Sequence, residues 1–139
     1  MNRIAKVLHT AKTRTIGGRE NGSSRSSDGR LDVRLSTPGS ARIGTNPEQL
    51  FAVAWSACLE SAIALAAKKR KTVLPADMAI DAEVDLNASE DGYFLNARLN
   101  ITLPGVDRDT AQLLINEAHE NCPYSKATRG NIHVVTKLV

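Results

Sequence analysis

From Leu50 to Ala67 the chain is apolar at 15 of 18 positions, broken only by Ser56, Glu60 and Ser61. Upstream, Asn46 or Thr45 suits a helix cap, Pro47 suits the first helical position, and Gln49 follows Asn46 by three residues. The pattern predicts a long helix closed by Lys68-Lys69-Arg70-Lys71, whose cations meet the last carbonyls. Such a helix must be buried on nearly every face. One layer of this chain covers one side, so a second copy is expected on the other. Elsewhere the period is two. Residues 3–16 and Leu31 to Leu35 read as strands, separated by a polar loop over Gly17 to Arg30. Thr37 to Thr45 reads as another loop. Met78 to Leu86 and Tyr93 to Leu103 alternate around an Asp91-Gly92 turn and predict an antiparallel hairpin. Asp107 caps a second helix that ends near Asn121, because Pro123 disfavours helical geometry at Cys122. Ile132 to Thr136 reads as the last strand. The expectation is an α+β fold in a single domain over 1–139, its antiparallel sheet packed on the helices.

The chain has 139 residues and a mass of 15.0 kDa, room for one core. No stretch is read as a membrane span, since the best candidate, Leu50 to Ala67, carries Glu60 near its middle. The first residues lack an apolar signal region, and two cysteines make no disulfide framework, so reduced thiols in the cytoplasm are expected. The net charge of +3 divides into +7 over residues 1–70 and −4 over 71–139. That split is compatible with a basic face for nucleic acid. Five aromatic residues argue against a stacking platform for single strands.

Cys58 and Cys122 are the natural candidates for chemistry. Cys58 lies about three turns into the apolar helix, where a cysteine is commonly a small hydrophobe with a raised pKa. Cys122 precedes a polar turn, CPYSKATRGN, where a loop thiol is more accessible. There is no CxxC pair, no GxSxG elbow and no phosphate-binding loop. His119 and Cys122 have a ligand-like gap, but His9 and His133 supply no matching pair, so no metal is expected.

Three segments carry a resemblance. TNPEQLFAVAWSACLESA (Thr45 to Ala62) resembles the first cysteine motif of the organic hydroperoxide resistance branch of the OsmC/Ohr family. NCPYSKATRGNI (Asn121 to Ile132) is similar to its second cysteine motif. Gly17-Gly18-Arg19, with Ser26-Ser27-Asp28-Gly29 and Leu31-Asp32-Val33, matches its N-terminal region, so nearly the whole chain is covered. The resemblance implies a cytoplasmic thiol peroxidase built as an intertwined homodimer without metal or bound cofactor. Organic hydroperoxides, fatty-acid ones included, would be its substrates, and lipoylated proteins or dihydrolipoamide its reductant. Carried over by residue, Cys58 matches the peroxidatic cysteine and Cys122 the resolving one. Arg19 matches the arginine that activates the thiolate, and Glu48 the acid that orients it. The Thr37–Thr45 loop is shorter and less glycine-rich than in the family. Trp55 and Leu59 replace residues more usual there.

These roles have a physical rationale. An unperturbed thiol is only a few per cent ionised at neutral pH, and a permanent guanidinium charge beside sulfur favours the anion. Glu48 can hold that guanidinium through a fork-like pair, or serve the helix dipole. Ten helical residues separate Glu48 from Cys58, roughly 15 Å of rise. Arg19 would span part of it, unless the helix bends or a partner chain contributes. A disulfide requires the two Cα atoms within about 4.4–6.8 Å, so the loop after the second helix should fold onto the first. Apolar surroundings including Phe51 would admit alkyl chains. A broader OsmC-type peroxidase and a non-catalytic basic binding module remain the alternatives.

Overall fold

The computed structural model describes residues 5–139, and the chain groups into two units that meet in sequence at Pro47 and Glu48. In the first, β1 (Thr13–Ile16), β2 (Ser23–Ser26) and β3 (Asp32–Arg34) form an antiparallel sheet in that order. The strand expected over 3–16 is confined to β1, because β2 offers pairing partners to Thr13–Ile16 alone; residues 1–4 lie outside the described chain. The stretch expected to be loop, Gly17 to Arg30, instead holds β2 and a helical turn, α1 (Gly18–Asn21).

Glycine makes that turn possible. Gly17 and Gly18 have φ of 78° and 73°, a region L side chains seldom occupy. A Cβ at Gly22 would stand 2.2 Å from Gly18 O and 2.3 Å from Ile16 O. Arg42 then straps the turn to the sheet, its guanidinium donating to Gly22 O at 3.0 Å and to Leu35 O at 2.9 Å.

The second unit opens with α2 (Pro47–Lys69), as the cap pattern predicts. β4 (Ala79–Ser89) and β5 (Gly92–Thr102) form the expected hairpin, followed by α3 (Arg108–Asn121), α4 (Pro123–Thr128) and β6 (His133–Leu138). Asp107 caps α3 as expected, accepting from Thr110 N at 3.1 Å. Two expectations fail here. The sheet is mixed, since β6 runs parallel to β5; α3 and α4 supply the crossover that a parallel neighbour requires. And α4 replaces the open turn after Cys122, with Pro123 at its first position.

One core joins Trp55, Leu59, Ile63, Ala66 and Ala67 of α2 to Ala97, Leu99 and Ile101 of β5 and to the dry face of α3. Contrary to the sequence expectation, α2 is by length and composition long and apolar enough to cross a membrane, with a window of mean hydropathy 1.8. Its buried stripe is nevertheless that of a core helix. Val53, Ala57, Ser61, Ala64 and Leu65 are exposed and form much of its opposite side.

Candidate active site

Cys58 sits at mid-length on α2, half-buried, on the border of the core. Cys122 joins α3 to α4: its backbone N–H goes to Ala118 O at 2.8 Å and its carbonyl accepts from Lys126 N at 3.0 Å. It is wholly buried, at 0% exposure. That corrects the expectation of an accessible loop thiol. The residues after it form a helical turn packed on the core, because Ser125 and Thr128 face inward and Trp55 bonds to Ser125.

The two sulfurs lie 3.4 Å apart in hydrogen-bond contact, both as free thiols. A disulfide needs about 2.05 Å, so closure requires a small approach and no rearrangement of α2. As expected, the chain after the second helix lies against the middle of the first.

Burial pushes the Cys58 thiol above its ordinary value, and the adjoining Cys122 sulfur pushes it the same way. A hydrogen bond from the Tyr124 backbone N–H works in the opposite direction. Sequence reasoning missed Tyr124; its position two residues beyond Cys122 was the available signal, and the helical turn that aims its N–H at Cys58 was not legible there. Phe51 lies two turns before Cys58 on the same face of α2, with its ring edge-on to Trp55 (centroids 5.6 Å) and to Tyr124 (6.4 Å). These rings give the second unit an aromatic patch on that face.

Of the remaining expected site residues, Glu48 stands in the first turn of α2 and is half-buried. α2 is uninterrupted from Pro47 to Lys69, so its rise between Glu48 and Cys58 is about 15 Å. Arg19 lies on α1 of the first unit, within the turn that Arg42 straps. Among the described residues no cluster of three His, Cys, Asp or Glu side chains is placed to hold a metal. His119 is instead engaged by Ser125 and Thr136.

The site is a half-buried thiol in contact with a buried one, carried on an α+β scaffold. Comparison with known proteins places the scaffold. Residues 37–137 match the family model of OsmC-like protein. An organic hydroperoxide resistance protein of Xanthomonas axonopodis pv. citri is 44% identical over 96% of this chain and 96% of its own. The crystal structure of the organic hydroperoxide resistance protein OhrB of Bacillus subtilis superposes with a TM-score of 0.89 at 41% identity, covering 96% of this chain and 100% of that one. A Legionella pneumophila relative, described as an organic hydroperoxide resistance protein, gives 0.88 at 40% identity, covering 96% and 98%. The chain belongs to the organic hydroperoxide resistance branch of the OsmC/Ohr family.

Proposed function

We propose that this protein is a thiol peroxidase that confers resistance to organic hydroperoxides by reducing them to alcohols. The 3.4 Å separation of Cys58 and Cys122 carries the reading; the names of the relatives support the role in resistance. The Cys58 thiolate attacks one oxygen of the O–O bond, and the other leaves as alkoxide and is protonated to the alcohol. Cys58 is left as a sulfenic acid, which Cys122 converts to a disulfide with loss of water. A dithiol of the dihydrolipoamide class then reduces the disulfide by thiol exchange.

The local environment alone raises the Cys58 pKa, so the thiolate needs a cation from elsewhere. Arg19 is our candidate, with Glu48 orienting its guanidinium. Phe51 and its ring neighbours favour alkyl and fatty-acid chains over small polar peroxides. We further propose that the enzyme works as a homodimer in the cytoplasm, without metal, bound cofactor, nucleic acid or membrane.

One equivalent of cumene hydroperoxide should remove two hydrogens from the intact mass. Cys58→Ser should abolish the change, and Cys122→Ser should stop at one added oxygen. Arg19→Ala should slow peroxide consumption by about 100-fold with the fold retained. Dihydrolipoamide should sustain turnover better than thioredoxin or glutathione. Absence of stoichiometric oxidation, with salt-dependent retention on DNA in both Cys→Ser variants, would replace this reading with a basic binding module.

A further inference from the structure

Four side chains outside the redox pair form one hydrogen-bonded chain across the second unit. Trp55 of α2 donates its indole N–H to Ser125 Oγ of α4 at 3.1 Å. Ser125 Oγ lies 2.8 Å from His119 Nδ1 in the last turn of α3. His119 Nε2 lies 3.0 Å from Thr136 Oγ1 on β6. Trp55 and Ser125 are almost wholly buried.

The donor inventory orders the protons. An indole N–H only donates, so Ser125 accepts from Trp55 and turns its single hydrogen toward Nδ1. His119 then carries its proton on Nε2 and donates to Thr136. Among the described residues, the other tautomer would leave the Ser125 hydroxyl hydrogen without a partner.

Cys122 sits at the junction this chain braces, three residues after His119 and three before Ser125. The angle between α3 and α4 sets where its sulfur points. The His119–Ser125 bond ties those helices directly, and Arg129 adds a strap by donating to His119 O at 2.7 Å.

We propose that His119, Ser125 and Thr136 are positioning residues for disulfide closure, holding Cys122 in register with the Cys58 sulfenic acid. The inference rests on the peroxidase reading and deepens it. In the step concerned, Cys122 sulfur attacks Cys58 sulfur, the S–S bond forms and the Cys58 S–O bond breaks. Cys122 is oxidised, the sulfenic sulfur is reduced, and the thiol proton leaves with the hydroxyl as water. A second hydroperoxide molecule competes by carrying the sulfenic acid on to sulfinic acid. Closure speed therefore decides whether Cys58 survives, and a misplacement of ~1 Å is enough to slow a positioned reaction by ~100-fold.

The test uses Thr136, which lies on β6, on an element carrying neither cysteine. Thr136→Val keeps the volume and removes the hydroxyl; Thr136→Ser keeps the hydroxyl. Ser125→Ala and His119→Gln cut the chain closer to Cys122. With cumene hydroperoxide titrated against each variant, intact mass reads the ratio of disulfide to Cys58 sulfinic acid. Consumption of the first equivalent reads the initial attack. We expect Thr136→Val and Ser125→Ala to form sulfinic acid at peroxide excesses about tenfold lower than wild type, with initial attack unchanged and Thr136→Ser behaving as wild type. Should Ser125→Ala or His119→Gln fail to fold, the Thr136 pair carries the test. A wild-type partition in Thr136→Val, or a Thr136→Ser variant as impaired as Thr136→Val, overturns the inference. Wild-type protein that forms no disulfide at all overturns the peroxidase reading instead.

Discussion

Cys58 shows how little of a reactive residue's character belongs to the residue. Burial and a second sulfur both oppose its ionisation, and one backbone N–H favours it. A thiol so placed ionises less readily than a free one, which is why the proposed mechanism turns on Arg19. His119 follows the same logic with the opposite charge. Burial lowers its pKa first, the nearby Arg129 guanidinium lowers it further, and Glu120 works against both. A cavity of about 380 Å³, lined in part by Trp55, His119, Arg129, His133 and Thr136, gives protons access to the ring. The unfolded chain takes up this proton below about pH 6.5, whereas the folded protein resists until a lower pH. The neutral ring therefore contributes stability above about pH 6.5, lost as pH falls through the folded value. Melting temperatures measured at about pH 7.5 and about pH 5 should diverge more in wild type than in His119→Gln. An equal drop in both proteins would show that His119 does not titrate as described.

At the scale of elements, the end of α2 is built against a local preference. Lys71 adopts φ 54°, and the helix closes with Lys71 N donating to Lys68 O at 3.2 Å and Thr72 N to Ala67 O at 2.9 Å. That is the Schellman pattern, whose left-handed position normally belongs to glycine. Lys71→Gly should raise stability by about 0.5–1 kcal/mol in urea unfolding, because the side chain disfavours this backbone. A loss of stability would mean that the lysine's charge near the last carbonyls outweighs its strain. Lys71 also marks what the sequence makes legible. α2, the β4–β5 hairpin and α3 announce themselves through period and caps: the Pro47 start, the alternation from Ile80 to Leu86, Asp107. β2 does not, because SSRS has no apolar alternation and owes its form to β1 and β3 on either side. Nor does the parallel setting of β6, which depends on where α3 and α4 deliver the chain. The two cysteines are visible as residues, and their pairing came from family resemblance. The Trp55–Ser125 and His119–Thr136 bonds span 70 and 17 positions, distances over which no periodicity speaks.

For the whole molecule, the unsettled surface is the outer side of α2. Only 28% of its most apolar window is buried within the chain. Val53, Ala57, Ser61 and Ala64 follow one another at four, four and three residues, which aligns them on one face away from Trp55, Leu59 and Ile63. Val53 is 67% exposed and Leu65, beside the stripe, 52%. Small side chains in such a row let a second helix approach closely, and apolar surface of this extent on one helix is costly to leave in water. A second copy of the same helix offers a matching face, since a two-fold axis sets like against like. Sedimentation should therefore give twice the 15.0 kDa of one chain. Ala64→Glu keeps a good helix former at an exposed position, so the fold should persist while the like charges brought together on the axis drive the pair apart. The separated variant should still close its disulfide when given peroxide, because Cys58 and Cys122 meet within one chain. A wild-type protein sedimenting at 15.0 kDa would leave the bare face of α2 without its partner. An Ala64→Glu dimer would move the contact to another surface.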